Sequence, residues 1–310
     1  IDSQYAIANI TSTGALGDVR IRGSQGLGGI TAASIFGDIN VLSGPIYGTI
    51  QTTGIRIDSV TGEETIVSGD LGTTITNRKG KVVGVTTISS GLGITGQIIV
   101  RGDLISTVKA GGNFSGTIAV EGNVGMLVYN TDGSVQANRA GRLTRFGGIT
   151  AGANSGQIIV LGNVFGDLNF RGTLSGRIAV HGAAVSGLDA QRFGILSNLK
   201  VRSMTATAAV ISGGMIGDAA GKTSIATGRA QGILAADGEI TLARSSRIAA
   251  TLIFENLNNT ANGAVLDAIF TEGSVPLNFD SNGPLQGLAD ITTDLTNLVA
   301  ADGSLSGTTP

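Results

Sequence analysis

Short stretches of alternating apolar and polar residues recur along the chain at a fixed spacing. Gly96-Gln-Ile-Ile-Val-Arg-Gly102, Gly116-Thr-Ile-Ala-Val-Glu-Gly122, Gly156-Gln-Ile-Ile-Val-Leu-Gly162 and Gly176-Arg-Ile-Ala-Val-His-Gly182 start 20, 40 and 20 residues apart. Gly17–Gly23 and Gly37–Ser43 share the phase upstream; Ser197–Ser203 and Gly238–Arg244 share it downstream. The third and fifth positions of each unit point one way and the fourth and sixth the other, as in a strand. A second strand follows in each repeat, as in 164–170. A third apolar station closes the repeat at Phe114, Leu174, Ile195 and Ile216. Gly102-Asp103, Gly122-Asn123 and Gly162-Asn163 sit between strands, where Gly, Asn and Asp suit sharp corners.

A unit of about 20 residues cannot bury an apolar face alone, so the units must stack. The pattern therefore predicts an all-β fold, a single-stranded parallel β-helix (β-solenoid). It would have about 20 residues per coil and about 12 coils over 1–257, each strand pairing in parallel with its copy one coil on. Right-handed winding is expected, because the hexapeptide repeat of left-handed helices is missing. The repeat region lacks the 3.6-residue period of a helical solenoid. At ~4.8 Å per paired strand the rod is about 55–60 Å long.

Stacking turns positions into columns. Val19, Ile39, Ile98, Ile118, Ile158, Ile178, Leu199 and Ile240 form one expected core ladder. Ile21, Val41, Val100, Val120, Val160, Val180, Val201 and Leu242 form the next. The outward fourth position runs Arg20, Asn40, Ile99, Ala119, Ile159, Ala179, Lys200. Its apolar middle, Ile99, Ala119, Ile159 and Ala179, is either covered by the irregular stretch 126–153 or is a face for lateral packing or a partner. In the sixth position Arg101 and Glu121 fall one coil apart and can pair, and His181 is expected to be solvated.

Regularity fades after Leu257. Leu285, Leu288, Ile291, Leu295, Leu298 and Val299 have helical spacing. Residues 258–310 read as a partly helical C-terminal cap and tail. At the other end, the strand edge around Tyr5–Gly14 is expected to be open and to invite another chain.

Composition narrows the chemistry. Gly is 50 of 310 residues, Cys and Trp are 0, His is 1 and Pro is 4, which excludes disulfide scaffolds and thiolate zinc sites. Net charge is −2, and no basic block suggests nucleic acid. Mean hydropathy is +0.29, yet no apolar run reaches the ~18 residues of a membrane span. Carboxylates are thinly spread. Asp18, Asp38 and Asp58 recur at 20-residue steps and form either a ladder around a cation or three separate turn caps. Gly221-Lys222-Thr223 lacks the upstream Gly of a phosphate loop. A single His offers no catalytic triad. Tyr5, Tyr47 and Tyr129 fall at unrelated positions, so carbohydrate binding has no aromatic platform.

The Gly-x-Ile-x-Val-x-Gly-[Asn/Asp] units, over Tyr5–Leu257, resemble the Gly-rich β-solenoid repeats of large bacterial surface and secreted proteins, such as autotransporter passengers and filamentous-haemagglutinin-like adhesins. The resemblance implies an extracellular or cell-surface stalk, adhesin or fibre component that associates with itself or with another surface protein. No functional residues carry over from it, and the residues themselves offer no catalytic set, so no enzyme activity, metal or cofactor is expected. The competing expectations are a polysaccharide lyase or hydrolase on the same fold, which needs carboxylates converging in a cleft, and a phage or virus fibre.

Overall fold

The computed structural model describes residues 1–272, apart from 140, 186–187, 189–192, 218–224, 237, 243–246, 255, 259–264 and 267–268. The helix expected over 285–299 and the loop at Gly221 lie outside the described residues. What is described is all-β, with no helix. Parallel strands stack into two long sheets, one of nine strands with Thr74–Thr76 added antiparallel at its side, and one of 11. Val19–Ile21, Ile39–Val41, Val82–Ser90, Ser106–Ala110, Gly148–Ala151, Asp167–Leu174 and Leu199–Met204 belong to the first sheet. Leu27–Ala32, Thr49–Thr52, Gln97–Val100, Thr117–Val120, Gln157–Val160, Arg177–Val180 and Ala209–Ser212 belong to the second. Parallel pairing continues past Leu257, to Ile269–Glu272.

Two narrow columns of parallel bridges run alongside the sheets. Ile46, Ile94, Phe114, Asn154 and Leu174 form one; Ile35, Leu71, Leu104, Val124, Val164, Ile195 and Ile216 form the other. Following the chain through one turn, Ile88, Ile94, Ile98, Leu104 and Val108 are all buried in a single apolar cluster. Their spacing is 6, 4, 6 and 4 residues. Each 20-residue repeat is thus two 10-residue halves, one per sheet. Packing the repeats puts Ile on Ile and Val on Val, and each such side chain contributes about 1.5–3 kcal/mol on full burial. This is the architecture of the β-solenoid kind expected from the repeat.

The two halves look alike, and this corrects the expected columns. Val19, Ile39 and Leu199 stand in the first sheet, aligned with Ile88, Val108, Ile149 and Leu168. Ile98, Ile118, Ile158 and Ile178 stand in the second, aligned with Ile30, Ile50 and Val210. Insertions of unequal length shift the phase by half a coil. The step from Ile50 to its partner Ile98 is 48 residues, and from Ile118 to its partner Ile158 it is 40. Each is one strand step, with the surplus residues projecting from the stack.

The surplus before Ile158 pairs antiparallel with itself, Met126–Leu127 against Arg145–Phe146. It forms a second apolar cluster in which Leu127 meets Phe165 and Leu196, with Val135 and Leu143 packed against it. It therefore packs beside the Val164–Ile195 column.

The unit's leading glycine is set by backbone approach. At Gly96, Gly116, Gly156 and Gly176 a Cβ would lie 1.9, 1.7, 2.1 and 1.9 Å from the carbonyl oxygen of the glycine one strand earlier. Only the missing side chain lets successive coils close to strand spacing there.

Candidate functional site

The polar side chains of the corners are spent on neighbouring coils. The Asp70 carboxylate accepts the Asp103 backbone N–H at 2.8 Å. Asp103 Oδ1 accepts the Asn123 backbone N–H at 2.7 Å and its Nδ2 at 3.1 Å. Asn123 Oδ1 accepts the Asn163 N–H at 2.9 Å, and Asn163 Oδ1 that of Ala183 at 3.0 Å. Four Asx side chains thus stitch four successive steps, joining five levels of the stack. Gly122 belongs to the same device, because a Cβ there would fall 2.2 Å from Asp103 Oδ1. The Gly-[Asn/Asp] pairs were visible in the sequence as corners; their reach from coil to coil was not.

Asp18, Asp38 and Asp58 do not act as one set. Asp18 Oδ1 accepts the Asp38 N–H at 2.8 Å, and Asp38 Oδ1 accepts that of Thr87. Asp58 sits in a hairpin turn and accepts the N–H groups of Val60 and Thr61, both at 2.8 Å. These hydrogen bonds, first that from Thr61, hold its carboxyl below the ordinary range. Burial instead pushes the Asp103 carboxyl above its usual value, opposed by the Asn123 hydrogen bond and helped by the charge of Asp70. Among the described residues no three His, Asp or Glu side chains come together as a metal site.

The outer faces of the two sheets differ in chemistry. Outside the first sheet, Arg20, Asn40, Ser89, Lys109, Thr150, Asn169 and Lys200 align in register. Outside the second, Ile99, Ala119, Ile159, Ala179 and Ile211 align. The expected fourth column changes sheet: its polar members stand outside the first sheet and its apolar middle is a run outside the second. Ile99 is half-buried, while Ala119, Ile159 and Ala179 are 0%, 3% and 5% exposed within the chain itself.

Arg101 and Glu121 pair as expected, with Nη1 2.6 Å from Oε1. His181, expected to be solvated, is half-buried. The first sheet carries an open groove of about 380 Å³ lined by Leu42, Ser89, Gly91, Lys109, Thr150 and Arg171, among others. The glycines at its floor have a structural cause: a Cβ on Gly111 would fall 2.2 Å from the Gly91 carbonyl oxygen. The groove offers two cations and several hydroxyls, and no carboxylate lines it. That set can hold an anionic or hydroxyl-rich polymer but supplies no carboxylate acid–base pair.

No helix among the described residues is long and apolar enough to cross a membrane. No protein-family model matches the chain, and neither the curated proteins nor the solved structures give a match.

Proposed function

We propose that this chain is a structural or adhesive component of an extracellular or cell-surface assembly, built as a right-handed rod of about twelve coils, and that it is not a catalyst. The observation that carries this reading is the use made of its polar side chains. Asp70, Asp103, Asn123 and Asn163 form a continuous ladder whose hydrogen bonds run from strand to strand along the stack. Such a ladder stiffens a column and leaves its acceptors already engaged. Eleven strands in the second sheet give a stack about 50 Å long at ~4.8 Å per step. Right-handed crossovers are the rule for parallel strands joined within one sheet. The resemblance of the repeats to Gly-rich solenoids of bacterial surface proteins supports the setting outside the cell.

The competing reading, a polysaccharide-degrading enzyme, loses support at the first-sheet groove, which pairs Lys109 and Arg171 without a lining carboxylate. One experiment separates the two: the purified protein incubated with a panel of neutral and anionic polysaccharides, with products analysed by chromatography. The expected result is retention of some polymers with no chain cleavage. Cleavage of any polymer, lost in Lys109→Ala or Arg171→Ala, would overturn the structural reading.

A further inference from the structure

Two hairpins leave the stack within a single coil, and they carry opposite charge. The first joins Ile55–Ile57 to Glu64–Ile66 and holds Asp58, Glu63 and Glu64 against one Arg56. The second joins Thr74–Thr76 to the start of Val82–Ser90 and holds Arg78, Lys79 and Lys81 with no acid. These charged residues are exposed, and none forms an ion pair among the described residues. The hairpins also concentrate exposed aliphatic side chains: Val60 and Ile66 are 92% and 90% exposed, Ile75 and Val83 47% and 50%. Glu64–Ile66 and Thr74–Thr76 each pair on one side only, so each presents a free strand edge.

The first hairpin touches the stack through the Ile57 N–H, which donates to the Thr13 carbonyl at 2.9 Å, and neither free edge pairs within the stack. The ladders close behind the hairpins, with the Val67 N–H on the Gly54 carbonyl at 2.9 Å and that of Thr86 on the Thr73 carbonyl at 3.0 Å. Proteins normally blunt an apolar free edge, because it templates association. Here each edge is flanked by charge of one sign, which selects a partner of the other sign. The two hairpins leave the chain on opposite sides of Leu71, whose bridges to Ile35 and Leu104 lie between them. One molecule therefore presents both an acidic arm and a basic arm.

We propose that these hairpins are a self-association surface, with the acidic hairpin of one molecule docking on the basic hairpin of a second copy of this chain. A two-fold axis satisfies both arms at once, as an isologous interface requires. The apolar residues Val60, Ile66, Ile75 and Val83 then leave water, and the opposed charges fix which edges meet. The inference deepens the reading of the chain as an assembling rod.

Analytical ultracentrifugation of the full chain tests it. The wild type should sediment, with rising concentration, toward twice 31.0 kDa, and added salt should shift it back toward one copy. Glu63→Lys/Glu64→Lys and Lys79→Glu/Lys81→Glu should each be monomeric alone. Mixed in equal amounts they should regain the paired species, because the reversed acidic arm of one now meets the reversed basic arm of the other, and the unaltered basic arm meets the unaltered acidic arm. Unchanged circular dichroism would show that both variants keep their fold. A variant that fails to fold leaves the salt series on the wild type to decide. A wild type monomeric at every concentration, a paired species insensitive to salt and to both reversals, or folded reversed variants that do not recombine would overturn the proposal. A monomer that still retains polysaccharides without cleaving them would overturn the pairing and leave the structural reading standing.

Discussion

Asn123 offers its side-chain oxygen to the backbone N–H of Asn163, 40 residues further along the chain, at 2.9 Å. The same amide donates from Nδ2 to Asp103 at 3.1 Å. One short side chain thus ties three successive strands. Asn163 is 2% exposed, so water does not replace the bond. Asn123→Ala should therefore destabilise the protein by about 1–3 kcal/mol, the cost of a buried donor left unpaired. Denaturant unfolding measures this; Asn123→Asp keeps the acceptor for Asn163 but replaces the donor to Asp103 with a second carboxylate, so it should not restore the loss at neutral pH.

Glycine tolerance should follow the stack. Gly116→Ala drives a Cβ to 1.7 Å from the Gly96 carbonyl oxygen, a clash with backbone that has no side chain to move. Gly84, in the strand that forms the basic hairpin, has nothing within 4 Å of its would-be Cβ. Gly84→Ala should stay within about 0.5 kcal/mol of wild type, whereas Gly116→Ala should show one of the large losses that mark overpacking. Thermal melts of the two variants side by side check the contrast.

Asp103 gives a pH signature. Burial raises its folded pKa above the ordinary 3.8. A carboxyl more readily protonated in the folded state loses stabilising power as pH rises through the interval between its unfolded and folded values. Asp103→Asn removes that loss and keeps an oxygen for the Asn123 N–H, as Asn stands at the equivalent corners 123 and 163. The variant should be more stable than wild type at neutral pH. The difference should shrink as pH falls through the interval above 3.8, and little of it should remain below that value. Unfolding midpoints across that range decide; a gain constant with pH would refute the cause assigned.

Ile159 faces away from the inner cluster yet is 3% exposed. Ile159→Ala should behave as a core substitution and cost about 2–5 kcal/mol. The half-buried Ile99 in the same column should cost clearly less. Equal, small effects at both positions would mean that the strip is open surface.

Much of the architecture was legible because strands of Ile and Val spaced by Gly-Asn and Gly-Asp corners permit few other folds. The pairing Gln97 with Thr117 and Gln157 with Arg177 follows directly from the spacing of 20. What misled was the internal likeness of the half-repeats. Val19 and Ile98 occupy matching places in the motif but stand in opposite sheets, and nothing local distinguishes them. Periodicity alone likewise cannot separate a 40-residue step that is two coils from one that is a coil with an insertion. The Arg101–Glu121 pair was readable because both lie in one uninterrupted stretch. The charge-divided hairpins were hidden in the stretch 57–95, where the repeat blurs, and only the pairing of Ile57 with Glu64 and of Thr74 with Val85 reveals them.

The central claim is that successive strands stack in parallel with a defined register, insertions being set aside from the stack. A chain without Cys allows a direct test by engineered cross-links. Thr117 and Gln157 are paired neighbours across the 40-residue step, within the Cα range a disulfide tolerates. A strict 20-residue coil would instead set Thr117 beside Ala137. The account predicts that Thr117→Cys/Gln157→Cys forms an intramolecular disulfide under mild oxidation while Thr117→Cys/Ala137→Cys does not. A disulfide in the second variant and none in the first would contradict it.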